Sequence, residues 1–117
     1  MQLILHTIKN RSVAEVTDCE HPISDAGEML DILAEAAYLG SEALIVRKEQ
    51  LNEAFYDLKT GLAGDILQKF SNYRMKLAIT GDFTKLRSKS LRDFILESNR
   101  TGRIIFVESF DAALKQL

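Results

Sequence analysis

Two groups of residues in this chain have the types and spacing that chemistry requires. The first is Asp57, Lys59 and Thr60; the second is Gly81, Asp82, Lys85, Ser88, Lys89 and Arg92. Each group stands between an apolar run of strand type and an amphipathic stretch of helical type. In open α/β sheets ligands bind at that edge. At a helix start Asp57 serves as a cap for unpaired backbone N–H groups. The alternative is that those N–H groups, with Lys59, receive an anion. In the second group, cations at the start of a helix oppose its dipole. A bound anion, an acidic partner or ordinary solvent would offset that repulsion. The sequence has neither the G-x-x-x-x-G-K-[ST] phosphate loop nor G-x-G-x-x-G.

Other chemistry finds little support. His6 and His21 are the only histidines and Cys19 is the only cysteine. Cys19-Glu20-His21 falls short of the three or four ligands that a metal site needs, so neither metal nor cofactor is expected. Neighbouring positions seldom aim at each other, which weighs against Cys19 as a nucleophile with His21 as its base. His6 alternates within a strand and reads as half-buried. Gln68, Asn72, Arg74, Glu97, Asn99 and Arg100 lie near element ends, where structural roles suffice; Arg74 is placed to cap helix carbonyls, and Glu97 and Arg100 to pair three apart.

The composition bounds the rest. The chain has 117 residues, 46% hydrophobic and 27% charged, with a formal net charge of -2. These are the proportions of one globular domain over residues 1–117 and exclude a disordered chain. No apolar run approaches the ~20 residues of a membrane span, and the N-terminus lacks the features of a secretory signal. A single cysteine fits a reducing cytoplasm. A pI near 5.7 without a nucleic-acid motif argues against nucleic acid as a partner. The charges are unevenly distributed along the chain. Residues 1–58 carry 4 Lys/Arg against 11 Asp/Glu, a net of −7; residues 59–117 carry 11 against 6, a net of +5. If the halves are not interleaved in space, the molecule has an acidic side and a basic side.

The elements that must position these residues follow from hydrophobic periodicity. Leu3–Ile8 and Val13–Thr17 read as an antiparallel hairpin around the turn Lys9-Asn10-Arg11-Ser12. Ser24 caps a first helix after Pro22, and Met29, Leu30, Leu33, Ala36 and Ala37 form its buried stripe. Ala43–Val46, Met75–Thr80 and Arg103–Val107 are short apolar runs of the kind found in parallel sheets. Leu58, Leu62, Ile66, Leu67, Phe70 and Tyr73 mark a second helix. Ser90 and Asp93 suggest a capping box for a third, and Ser109 caps a fourth. The expected order is ββαβαβαβα: a mixed, mostly parallel sheet with right-handed crossovers over one buried core. Gly61, Ala63 and Gly64 would give the second helix a smooth face, and with it a homodimer contact.

From residue 55 onward the wording is specific. The stretches Asp57-Leu58-Lys59-Thr60-Gly61-Leu62-Ala63-Gly64-Asp65, Lys76-Leu77-Ala78-Ile79-Thr80-Gly81-Asp82-Phe83 and Ser88-Lys89-Ser90-Leu91-Arg92-Asp93-Phe94-Ile95 resemble the signature of the domain of unknown function 4180 family. That resemblance implies a small bacterial or archaeal α/β protein without an established activity. A more distant likeness is to the STAS and SpoIIAA-like group, the anti-anti-sigma factor fold, whose Asp-Ser-Ser-Gly-Leu turn is similar to Asp57 and Lys59-Thr60-Gly61-Leu62. It implies a regulatory module in which Thr60 takes the place of a serine that is phosphorylated. Leu58 intervenes after Asp57, and Lys59 replaces the first serine. The expected function is therefore a non-catalytic regulatory or protein-interaction module with a protein partner that the sequence does not name. The alternative is a small enzyme or sensor that binds a phosphate-bearing ligand at the strand ends.

Overall fold

The computed structural model describes residues 2–117. Lys9 and Asn10 both have positive φ, 49° and 67°, and join β1 (Gln2–Ile8) to β2 (Arg11–Asp18). Paired positive φ values give a two-residue turn whose twist suits a hairpin, and Asn accepts that conformation at low cost. The turn is thus shorter than the four residues expected, and Arg11 and Ser12 belong to β2. The chain continues through α1 (Ala26–Tyr38), β3 (Ala43–Arg47), α2 (Leu62–Tyr73), β4 (Lys76–Thr80), α3 (Lys89–Thr101), β5 (Ile104–Val107) and α4 (Phe110–Gln116). The expected order is present. The five strands lie side by side in sequence order, with β1 antiparallel to β2 and every later pair parallel.

Three helix starts differ from expectation. Asp25, not Ser24, is the α1 cap and accepts the Glu28 N–H at 2.8 Å. Ser24 instead donates its N–H and hydroxyl back to the Glu28 carboxylate. Ser88, not Ser90, caps α3 and accepts from the Leu91 N–H at 3.1 Å; Asp93 pairs with Lys89 at 3.0 Å. Helix α2 begins at Leu62, behind a left-handed Gly61 at φ 78°. Leu58 therefore lies in a separate short 3-10 turn. At α1 and α3 several polar residues could have capped the helix, and the path of the incoming loop selected one; at α2 the cap position is the glycine and no side chain caps it. Ser109 caps α4 as expected, accepting from the Ala112 N–H at 3.1 Å.

The sheet buries two apolar clusters rather than one. Leu44, Val46, Leu77, Ile79, Ile104 and Phe106 face α1, α2 and α3. Ala43, Ile45, Ala78, Ile105 and Val107 face the opposite way and meet Ala113 of α4. Alternation along a strand sends successive side chains to opposite faces. Right-handed crossovers that always advance in one direction place all three connecting helices on one face. The second face is left to α4, which follows the last strand and has no crossover to make.

Ile45 and Ile105 are 2% and 3% exposed in this second cluster. An unpaired carboxylate there costs several kcal/mol, against a total stability of roughly 5–15 kcal/mol for a domain. Ile45→Asp and Ile105→Asp are each expected to abolish cooperative thermal unfolding, as followed by circular dichroism. An unchanged melting midpoint would contradict the burial.

Candidate functional site

Both chemistry-bearing groups lie in loops that leave the C-terminal ends of parallel strands. Register sets Arg47 of β3 beside Thr80 of β4, so the next residues, Lys48 and Gly81, meet where the strands end. A Cβ on Gly81 would stand 2.7 Å from the Lys48 Cβ, a contact that requires glycine. Lys48 Nζ donates to the Asp82 carbonyl at 2.8 Å and lies 5.2 Å from the Phe83 ring centre. The Tyr56 hydroxyl donates to the Lys48 carbonyl at 2.7 Å. Burial pushes the Tyr56 phenol far above its ordinary range, which keeps its proton on that bond. Sequence reasoning missed Lys48 and Tyr56. Strand adjacency was the signal for Lys48, because it directly follows β3 as Gly81 follows β4.

Asp57, Lys59 and Thr60 are exposed and belong to the 3-10 turn before α2. The Asp57 carboxylate accepts the Lys59 N–H at 3.2 Å, so it caps that turn rather than α2, the helix that its place in the sequence predicts it to cap. The Thr60 hydroxyl donates between the carbonyls of Ala54 and Asp57, at 2.6 and 2.9 Å. Its oxygen accepts the Leu62 N–H at 3.3 Å, at the first residue of α2. A phosphate on this oxygen would remove the donor and set anionic oxygens against two carbonyls.

The second group is engaged in the same way. The Asp82 carboxylate accepts from the Thr84 hydroxyl at 2.5 Å and from the Thr84 N–H at 2.9 Å; the hydroxyl bond first, then the N–H, holds its pKa below the usual range. Ser88 caps α3, and Lys89 pairs with Asp93. Arg92 donates to the carbonyls of Leu86 and Arg87 at 2.9 and 3.2 Å. Lys59, Lys85 and Arg87 enter none of the salt bridges among the described residues.

The two groups do not share a cleft. Gly81 and Asp82 line one of about 340 Å³ with Phe83, Asn99, Phe106 and Glu108. Lys48 and Tyr56 line another of about 550 Å³ with Glu49 and Glu53. Neither lining includes Asp57, Lys59, Thr60 or Ser88. The first cleft carries two carboxylates and no cation, a setting that repels phosphate.

Elsewhere, Cys19 and His21 line a cleft of about 270 Å³ with Glu28 and Asp31. Burial raises the Cys19 thiol pKa, the opposite of what a nucleophile needs. His21 Nδ1 lies 3.0 Å from its neighbour's carbonyl, on Pro22. Among the described residues no three His, Cys, Asp or Glu side chains are placed to hold a metal ion. His6 is half-buried as expected, 2.9 Å from Glu15. Arg74 ends α2 through its own left-handed backbone rather than its guanidinium. Glu97 and Arg100 do pair, at 3.1 Å. Ala63 is buried in its own domain's core while Gly64 is exposed, so the small residues of α2 do not share one outward face.

The sequence profile of the domain of unknown function DUF4180 matches residues 8–117. The chain belongs to the DUF4180 family. No curated protein and no solved structure matches it.

Two outcomes follow for this member of DUF4180. Thr60→Ala is expected to lose about 1 kcal/mol in chemical denaturation, with Thr60→Ser close to the parent, because the hydroxyl bonds and not the methyl hold the turn. Gly81→Ala is expected to lose about 1–3 kcal/mol, through overpacking against the Lys48 side chain and through a φ of 157° that a Cβ disfavours. A non-zero coupling energy in the Gly81→Ala, Lys48→Gly double-mutant cycle would measure the part due to that contact.

Proposed function

We propose that this DUF4180 protein is a non-catalytic interaction module that meets an acidic protein partner through the loop and helix start from Lys85 to Arg92. One observation carries this reading. The polar groups that could have done chemistry, Lys89 and Arg92 included, are engaged in holding their own loops, whereas Lys85 and Arg87 enter no salt bridge among the described residues and stand exposed in a segment, 85–92, that has no carboxylate. Lys59 adds a further exposed cation from the neighbouring loop. Such a field speeds encounter and selects partners more than it adds raw affinity.

A regulatory role and a STAS-like relationship are part of the proposal. The sequential strand–helix winding and the Asp57-to-Leu62 turn support them. The bonds made by Thr60 favour the basic rim over a modified Thr60 as the working surface in this proposal. A cytoplasmic setting fits the unpaired Cys19, and among the described residues no helix is long and apolar enough to cross a membrane.

The test is affinity capture from the native host with the parent chain and a Lys85→Glu, Arg87→Glu variant, at low and high salt. An acidic protein is expected with the parent at low salt, falling away with added salt and with the variant. Equal recovery by both chains would remove the basic rim from the proposal. Thermal shift with inorganic phosphate provides the contrasting readout. A saturable rise in melting temperature would favour the phosphate-ligand reading instead.

A further inference from the structure

The two edges of the sheet are finished differently. At the β5 edge the Asn99 carboxamide accepts the Phe106 N–H at 2.7 Å and donates to the Phe106 carbonyl at 3.3 Å. Parallel pairing turns the Arg103 and Val107 carbonyls toward β4, so Phe106, between them in alternation, presents its groups outward. Asn99 therefore occupies the place of a next strand and closes that edge.

Among the described residues the β1 edge has no such cover. Its register runs from Ile8 opposite Arg11 to Leu3 opposite Val16 around the two-residue turn. A turn of this kind makes the flanking pair hydrogen-bonded, and bonding alternates from there. Ile8, His6 and Ile4 thus bond to β2, while Leu3, Leu5 and Thr7 present N–H and C=O outward. The strand holds no proline, Lys, Arg, Asp or Glu, the residues that ordinarily protect an edge. Ile4 and Leu5 are 49% and 44% exposed, one on each face.

We propose that two copies of this chain join antiparallel through β1, merging their sheets into one that is twice as wide. The sequence is self-complementary in the register centred on Leu5. Leu5 then meets Leu5 of the other copy, Leu3 meets Thr7, and Ile4 meets His6, so the pairing brings no like charges together within the strands. A single patch facing itself across a two-fold axis forms a closed contact and not a filament. The sheet order places residues 1–58 on the β1 side, so each copy brings its net −7 half toward the junction. That repulsion acts over distance and is screened by salt. The β1 dimer should therefore tighten as salt rises, whereas a head-to-tail contact of acidic half on basic half would weaken.

The experiment is sedimentation equilibrium of the full chain across concentration and salt, with amide hydrogen exchange under the same conditions. The expected result is a dimer that tightens with salt, and in which the Leu3, Leu5 and Thr7 amides gain protection as concentration rises. The Ile4, His6 and Ile8 amides should be protected throughout. Leu5→Lys sets two ammonium groups opposite each other and should weaken the dimer by at least about tenfold, ~1.4 kcal/mol. The exchange pattern of the parent chain decides the matter even if that variant folds poorly. A monomer up to high micromolar concentration would overturn the proposal, as would a dimer that weakens with salt or leaves those three amides unprotected. Protection that arises only when another protein is added would assign the edge to a foreign strand and overturn it equally.

Discussion

Each parallel strand of this sheet is laid down beside the one before it, always in the same direction, and the rest of the structure depends on that. A right-handed crossover is the favoured route from one parallel strand to the next. Repeating it without reversal puts α1, α2 and α3 on one face and leaves the other to α4. It also leaves no point at which the strand order turns back within the parallel part. In many open sheets that reversal opens the crevice where ligands bind. Here the loops after β3 and β4 run side by side and close on each other, through Lys48 against Gly81 and through the Lys48 bond to Asp82. The polar residues at the strand ends are thus occupied by loop-to-loop and capping bonds.

The same winding converts an arrangement in sequence into one in space. Because strand order follows chain order, the charges of residues 1–58 and those of β4, α3 and β5 lie side by side across the sheet; only α4 returns over β1, where Phe110 meets His6, and its Asp111 and Lys115 cancel. A doubly wound order would have mixed them. The resulting polarity gives the chain one end of net negative and one of net positive formal charge.

The edges show how local chemistry completes the architecture. Asn99 ends β5 by offering both halves of a carboxamide to one residue of the strand. At the other side the hairpin turn at Lys9 and Asn10 sets which β1 residues face inward. His6 leans on Phe110 of α4, with ring centres 4.9 Å apart, and bonds to Glu15, which anchors the hairpin to the second face. The short α4 reaches no farther, so Ile4 stays half in solvent.

By itself the sequence determined the class of fold and the position of nearly every strand, because three short apolar runs between amphipathic helices leave few arrangements other than a parallel sheet. It also pointed to the loops at the strand ends. Tertiary structure alone decided what those loops do. Asp57, Thr60, Asp82 and Ser88 are all good hydrogen-bonding residues in loops, and nothing in their spacing says whether the partner is a ligand or their own backbone. The answer depends on where carbonyls such as those of Ala54 and Asp57 come to lie. Lys48 and Asn99 show the same limit: their roles exist only once β3 has met β4 and α3 has met β5. Periodicity is a property of consecutive residues and can be read from the chain, whereas a bond between residues 34 apart, as between Lys48 and Asp82, depends on how the whole sheet is assembled.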